Sequence, residues 1–404
     1  MAFIEISHVT KVFGRRPEQA LRLLAEGMSK ERLLADTGHV VALRDVSLSI
    51  EQGKIFVVMG LSGSGKSTLI RHINRLIDPT AGSISIDGTD ILGLSIPDLI
   101  CFRRKRLAMV FQHFALLPHR TVLENVAYGL ELQRVRRAVR TRKAEEWIAA
   151  VGLSGFERKY PFELSGGMQQ RVGLARALCV DHDIILMDEA FSALDPLIRS
   201  QMQDLLMSLQ TRLKKTIVFI THDLDEALRL GDTITILRDG EVVQVGGPVE
   251  ILLHPADDYV SAFVKDVNRA RALTVQAVMR PAPVRLSAMS PEAALAAIEE
   301  RGVAIGYFVD GEATGVVTKV ALRAAIAGAK PPATIAGLAI PVMSVAPQSS
   351  LGDALPAALS SPFPVPVVNG EGTIVGVLPS DRLAEVLRAG GAVAGTGDKR
   401  EAIP

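Results

Sequence analysis

Ile55-Phe56-Val57-Val58-Met59-Gly60-Leu61-Ser62-Gly63-Ser64-Gly65-Lys66-Ser67-Thr68 runs from five consecutive apolar residues straight into the pattern G-x-x-x-x-G-K-[ST]. The apolar run has strand length, and Ser67–Leu76 reads as a helix, so the Gly/Ser stretch is the turn between them. Its glycines let backbone N–H groups turn inward around phosphate oxygens, and the following helix N-terminus adds a positive dipole. Lys66 is expected to reach the β- and γ-phosphates, and the Ser67 hydroxyl to bind Mg2+. Gly60, Ser62, Gly63, Ser64, Gly65, Lys66, Ser67 and Thr68 are therefore the candidate nucleotide-binding residues. A plain Gly/Ser turn is the ordinary alternative; the strand before it and the helix after it favour the phosphate reading.

Further along, Ile184-Ile185-Leu186-Met187-Asp188-Glu189 is an apolar strand ending in two carboxylates. Ligands of parallel sheets sit at the carboxyl ends of strands. Asp188 is placed to hold Mg2+, directly or through water, and Glu189 to polarise an attacking water as general base. More apolar runs lie at Leu107–Phe111, Ile217–Thr221 and Thr233–Arg238, separated by helical segments at Arg142–Val151, Gln169–Cys179, Pro196–Leu213 and Leu224–Leu230. Continuous apolar strands between helices indicate an α/β fold with a parallel sheet covered on both faces. From about residue 130 to 180 no strand is evident, which reads as a helical insert.

Upstream, FIEISHV and VVALRDVSLSI read as strands around Pro17–Thr37, which reads as two short helices. Gly27 breaks them and Gly38 ends them; Pro17 suits a first turn and Ser29 an N-cap. Downstream, composition changes near Asn268 and a repeat begins. Val278-Met279 recurs as Val342-Met343, and Gly315-Val316-Val317 as Gly376-Val377-Leu378. Two similar units of about 60 residues follow one another. Gly390–Pro404 is rich in Gly, Ala and charge and is expected to fray.

With 404 residues, 48% of them hydrophobic and 22% charged, the chain can build more than one sizeable core. Its formal net charge of +1 gives no reason to expect nucleic-acid binding. Cys101 and Cys179 have neither a metal-type nor a CxxC spacing, and are expected to be small core residues in a reducing compartment. MAFIEISHVT does not read as a signal peptide, and no stretch reaches the roughly 18 apolar residues of a membrane span. Contact with a membrane is expected to run through a partner.

Leu164-Ser165-Gly166-Gly167-Met168-Gln169-Gln170 resembles the LSGGQ signature of ABC ATPases, with Met168 at the usual Gln position. Gln112 resembles the Q-loop of that family, Ser192-Ala193-Leu194-Asp195 its D-loop, and Thr221-His222-Asp223 its switch histidine. Phe13 lies where the family stacks an aromatic ring on adenine. Taken alone, Gln112 also reads as a surface residue, Phe13 as core, and His222 as structural. Together the motifs resemble an ABC ATPase over residues 1 to about 265. The resemblance implies ATP and Mg2+ as ligands, with Glu189, His222, Lys66 and Gln112 in catalysis and Ser67, Gln112 and Asp188 at the metal. It also implies a mixed sheet, a helical subdomain at about 113–180, and two copies facing head to tail. Ser165, Gly166, Gly167 and Asp195 of one copy would then complete the ATP site of the other.

The Phe13-Gly14 to Thr37-Gly38 insertion with its Gly27-Met28-Ser29-Lys30 turn, the run MGLSGSGKSTLIRHINRLIDPTAG (59–82) and Asp266-Val267-Asn268-Arg269 before the repeat add a narrower likeness. They resemble ATPase subunits of glycine betaine/proline-type osmoprotectant importers. That likeness implies an ATPase domain over 1–267 with a helical insertion at 15–38, a linker at 268–277, a tandem CBS-like pair at 278–390, small and α+β, and a tail at 391–404. It implies permease subunits as partners, a substrate-binding protein acting indirectly, and a place at the cytoplasmic face of the membrane. Choline, glycine betaine, carnitine and proline betaine all fit as cargo. The repeat departs from the nucleotide pattern G-h-x-[ST]-x-x-D: Thr318 is followed by Ala321, and Pro379 and Arg382 replace the pair in the second unit, with Asp381 one position early. Salt sensing or scaffolding fits it better than adenine-nucleotide binding. Arg269, Arg271 and Arg280 read as a solvated linker, or as a contact for anionic lipid.

Rival classes fit less well. ABC-type repair proteins insert a long coiled coil where Ser67 and Ser165 leave no room for one. Translation factors of the family carry two ATPase units. Intact Lys66, Asp188, Glu189 and His222 argue against a mere nucleotide sensor. Within transport, a methionine- or metal-importer ATPase lacks the insertion and the repeat.

Overall fold

In this computed structural model, residues 2–111, 115–192, 194–265, 267–310, 313–328 and 332–388 are described. β1 (Ala2–Phe13) and β2 (Val40–Glu51) alternate buried and exposed residues and pair antiparallel, Ile4 opposite Ile50 and Ile6 opposite Leu48. Between them, α1 (Pro17–Ala25) starts on its proline and α2 (Lys30–Thr37) on Ser29, whose Oγ accepts from the Arg32 N–H at 3.2 Å. Gly27 and Gly38 have φ of 91° and 71°, left-handed values that stop each helix. Val12, Ala20, Leu24 and Leu33 give the hairpin its own small core.

β3 (Ile55–Met59) leads into α3 (Lys66–Ile73), followed by β4 (Ala81–Ile86), β5 (Thr89–Asp90), α4 (Ile96–Arg106) and β6 (Leu107–Val110). Then come α5 (Val122–Leu132), α6 (Arg137–Ala150), α7 (Gly166–Cys179), β7 (Ile184–Asp188) and α8 (Pro196–Leu213). β8 (Thr216–Thr221), α9 (Leu224–Leu230), β9 (Thr233–Arg238) and β10 (Glu241–Gly246) complete this part. One sheet has the order β10-β9-β3-β8-β7-β6 and is parallel from β9 to β6. Every residue of β3, β7 and β8 is buried, as expected of strands covered on both faces.

The sheet is mixed, as the resemblance implies. β10 turns back antiparallel on β9 through Asp239-Gly240, both at positive φ, the geometry that favours a two-residue hairpin. β1, β2, β4 and β5 form a second, antiparallel sheet whose Ile4, Ile6, Leu48 and Ile84 share one core with Leu69, Ile70, Leu186 and Val218. A separate core of Val126, Leu130, Ile148, Val172 and Cys179 holds α5, α6 and α7 together.

Cys179 belongs to that core, and burial pushes its thiol up to about 11. Cys101 is exposed, contrary to the sequence expectation, because α4 turns Leu99 and, in part, Phe102 and Arg103 inward and leaves Cys101 on its solvent side. A maleimide near neutral pH should therefore label one thiol per folded chain, on Cys101, and both after denaturation. Peptide mass spectrometry reads the result; comparable labelling of Cys179 in the native chain would contradict its placement.

The described residues divide into two compact units: those of 1–247 with 256–260, and those of 248–255 with 261–388. The second holds α10 (Pro248–Leu253), the end of α11 (Asp258–Val264), α12 (Arg269–Ala272) and α13 (Val275–Val278). Two β-α-β-β-α runs follow. The first is β11 (Arg285–Leu286), α14 (Pro291–Glu300), β12 (Ile305–Asp310), β13 (Ala313–Thr318) and α15 (Lys319–Ala327). The second is β14 (Ile340–Pro341), α16 (Leu351–Ser360), β15 (Val365–Val368), β16 (Ile374–Leu378) and α17 (Ser380–Arg388). Ser290 and Ser350 cap the equivalent helices α14 and α16. Tyr307 and Val316 of the first run pack with Ile374 and Val377 of the second.

Arg269 corrects a reading of the sequence. It is neither solvated nor free for lipid: it is 7% exposed and donates to the Val386 and Leu252 carbonyls, both at 3.2 Å. Residues 268–277 carry α12 and α13. The expected frayed end, 390–404, lies outside the described residues.

Candidate functional site

Gly60, Gly63 and Gly65 take φ of 153°, 82° and 98°, which L side chains rarely adopt. At Gly60 the space is closed as well: a Cβ there would collide with the Leu237 carbonyl oxygen and the Ser64 Oγ. The chain thus curls into a loop at the carboxyl end of β3 and enters α3 at Lys66. Lys66 folds back into that loop, its Nζ donating to the Gly60 and Leu61 carbonyls at 2.8 and 2.9 Å. It is 5% exposed. Desolvation pushes its pKa down, while the carboxylates of Glu189 and Asp188 pull it up. A buried ammonium held mainly by carbonyl oxygens is a cation prepared for an anion. Ser62 and Gly63 are exposed at the rim, Ser64 is buried with its Oγ unpartnered, and Thr68 is half-buried in the first turn of α3.

Ser67 Oγ donates to Asp188 Oδ1 at 2.9 Å, joining the first turn of α3 to the last residue of β7. Asp188 is 6% exposed, and an Arg71 guanidinium nitrogen lies 3.6 Å from its other oxygen. Mg2+ keeps several waters and commonly takes one carboxylate plus substrate phosphate oxygens. A hydroxyl and a carboxylate already in contact, beside the phosphate loop, fit such an ion.

Glu189 follows at φ 46°, a left-handed value that is strained for a residue carrying a Cβ. Its N–H donates to the Ile220 carbonyl at 3.1 Å, and Ser192 donates to its carbonyl through both N–H and Oγ. The strain turns the chain off the strand end, and the Glu189 carboxylate then lies 3.3 Å from His222 Nδ1. His222 follows the last residue of β8, the strand beside β7, and its side chain is 56% exposed.

The remaining candidates lie apart from this group. Ser165 caps α7, accepting from the Met168 N–H at 3.4 Å, and a Cβ on Gly167 would meet Ile198 Cγ2 at 2.6 Å. Gly166 is open on that side. Among the described residues no hydrogen bond or ion pair joins Ser165, Gly166 or Gly167 to the loop at 60–67. Phe13 ends β1, 41% exposed, with Lys11 Nζ 5.1 Å from its ring centroid. Asp195 caps α8, accepting from the Ile198 N–H at 3.1 Å. Gln112 lies outside the described residues. Arg71, which sequence reasoning missed, has only its place four residues after Ser67 on one helix face as a signal.

A glycine-rich loop around a buried lysine, with a hydroxyl–carboxylate pair and a second carboxylate at the neighbouring strand end, defines a P-loop ATPase. The ABC transporter family profile matches residues 43–192. The chain is 46% identical over 395 residues, 96% of its length and 98% of the relative's, to the glycine betaine/proline betaine transport system ATP-binding protein ProV of Salmonella typhimurium. It is 53% identical over 307 residues, 76% of its length and 73% of the relative's, to the glycine betaine transport ATP-binding protein OpuAA of Bacillus subtilis. A dimeric ATP-binding cassette in a post-hydrolysis state with ADP and Pi superposes with a TM-score of 0.52 at 34% identity, covering 61% of this chain and 98% of that one. The chain belongs to the family of glycine betaine-type ABC transporter ATP-binding proteins.

Proposed function

We propose that this chain hydrolyses MgATP to power import of a quaternary ammonium compatible solute, such as glycine betaine, choline, carnitine or proline betaine. The observation that carries the proposal is the Ser67–Asp188 contact with Glu189 and His222 at adjoining strand ends around the buried Lys66. Backbone N–H groups of residues 62–67 and the Lys66 ammonium hold the phosphates. Ser67 and Asp188 would hold Mg2+, whose charge would offset that developing on the transferred phosphate. Glu189 takes a proton from the water whose oxygen attacks the γ-phosphorus; the bond to the β–γ bridging oxygen breaks and ADP leaves. His222, within reach of Glu189, orients that carboxylate.

Two copies of the chain pair head to tail, so that Ser165, Gly166, Gly167 and Asp195 of one complete the site of the other, and Phe13 stacks on adenine. The N–H groups at the start of α7 and its dipole favour the γ-phosphate across the interface. Gln112 acts beside the metal. No helix among the described residues is long and apolar enough to cross a membrane. In this reading permease subunits hold the pair at the cytoplasmic face, and a binding protein delivers the solute to them. Phosphate release by the full-length chain with its permease should require Mg2+ and ATP; release unaffected by chelation of Mg2+ would sink this reading.

Residues 1–267 form the ATPase part, with a helical subdomain at about 113–180 and the insertion at 15–38; a linker at 268–277 leads to a CBS-like pair at 278–390. In that pair the Thr318 hydroxyl is committed to capping α15, accepting from the Ala321 N–H at 3.1 Å. Arg382 pairs with Glu385 at 2.6 Å, and Asp381 lies in the first turn of α17. Among the described residues neither run keeps the [ST] and Asp of the nucleotide pattern G-h-x-[ST]-x-x-D together: Ala321 follows Thr318, and Pro379 and Arg382 replace the pair. The pair is better suited to biasing the two ATPase units by about 1–3 kcal/mol in response to salt. Surface charge responds as the Debye length shrinks from about 10 Å at 0.1 M toward 3 Å at 1 M. In anionic liposomes, deleting 278–390 should flatten the dependence of transport on internal salt. An unchanged profile, with micromolar adenine-nucleotide binding to the full-length chain that the deletion abolishes, would reverse that order. Truncation after 268 is not a clean cut, because Arg269 reaches back to Leu252 and both lie in the second unit.

A further inference from the structure

The geometry points to Arg199 as a positioning residue that locks the loop leaving Glu189 to the segment carrying His222. This rests on the reading of Glu189 and His222 as a working pair. Arg199 lies one turn into α8. One guanidinium nitrogen donates to Asp223 Oδ2 at 3.2 Å; the other donates to the Leu194 carbonyl at 3.2 Å and lies 3.5 Å from the Ser192 carbonyl. Its Nε is buried without a partner. Asp223 is the residue after His222. Its other oxygen caps α9, accepting from the Glu226 N–H at 3.2 Å, and its own N–H donates to Thr221 Oγ1 at 3.0 Å. Ser192, in turn, closes a turn on the Glu189 carbonyl.

The guanidinium therefore sits where two short segments meet, each leading to one partner of the 3.3 Å Glu189–His222 contact. Only a planar fork reaches a carboxylate on one segment and backbone carbonyls on the other at once. Arg199 and Asp223 side chains are 28% and 34% exposed, and pairs that wet contribute little to global stability. The consequence of the contact is geometric: it fixes how far Glu189 and His222 stand apart. It also gives Asp195, at the start of the same helix, a mechanical route to both. Arg199 touches no reacting atom.

The test uses the full-length chain. Arg199→Ala should lower kcat about 10- to 100-fold, the cost of a misplacement of about 1 Å. KM and equilibrium ATP affinity should stay within about twofold, as expected when only transition-state geometry is lost. Arg199→Lys keeps the charge without the fork and should fall less. Added guanidinium ion at millimolar concentration should raise the rate of Arg199→Ala and leave wild type flat. Asp223→Asn retains a capping side chain but weakens the pairing, and should lower kcat with the same unchanged KM; it serves if Arg199→Ala does not fold. The inference is overturned if kcat stays within twofold of wild type in the folded variants. It is also overturned if KM and melting temperature move in step with kcat and guanidinium rescues nothing. Glu189→Gln is measured alongside: full activity there removes the underlying reading, whereas an inactive Glu189→Gln beside a normal Arg199→Ala removes only this inference.

Discussion

Glu189→Gln should lower steady-state ATP hydrolysis by about 100- to 10,000-fold, the range for loss of a positioned general base. MgATP binding should survive, because Lys66, Ser67 and Asp188 are untouched and the amide keeps the shape of the carboxylate. The backbone turn at φ 46° does not depend on the charge, since it is held by the Ile220 carbonyl and by Ser192. The variant should accumulate as an ATP-bound pair of chains that elutes early in gel filtration, while wild type returns to single chains once ATP is spent. Near-wild-type turnover would remove Glu189 from the role of base.

Mixing Ser165→Arg with Lys66→Ala chains should restore activity that neither has alone. Ser165→Arg puts a bulky cation where the N–H groups at the start of α7 would approach phosphate. Lys66→Ala removes the ammonium that the loop holds against the Gly60 and Leu61 carbonyls. In a head-to-tail pair both lesions fall in one site and the other is intact. Random mixing should give about a quarter of the wild-type rate, since half of the pairs are mixed and each keeps one working site. Tagged mixed pairs with no activity above either parent would refute the shared site.

Ser67 and Asp188 were legible because each closes a contiguous motif whose local structure forces the contact: a helix must start at Lys66, and an apolar strand must end at Asp188. Pro17, Ser29 and Gly38 marked the insertion for the same reason, since capping is local chemistry. β4 and β5 escaped because Ala81–Ile86 is short and only half-buried, and Thr89–Asp90 carries no pattern at all. Arg199 and Arg269 escaped for a different reason. Their partners Asp223, Leu252 and Val386 are set by folding, not by spacing, and an arginine in sequence looks solvated until its acceptors are known. The exposure of Cys101 follows from which face α4 turns inward, and its charged sequence gives that face little definition.

Uptake by the reconstituted transporter tests the central claim most directly. The full-length chain and the proposed permease are placed in liposomes with ATP inside, and the proposed binding protein and labelled glycine betaine outside. Wild type should accumulate the solute against its gradient while releasing phosphate inside, and the Glu189→Gln transporter should do neither. Accumulation that continues with Glu189→Gln, or ATP hydrolysis without movement of any quaternary ammonium solute, would contradict the account.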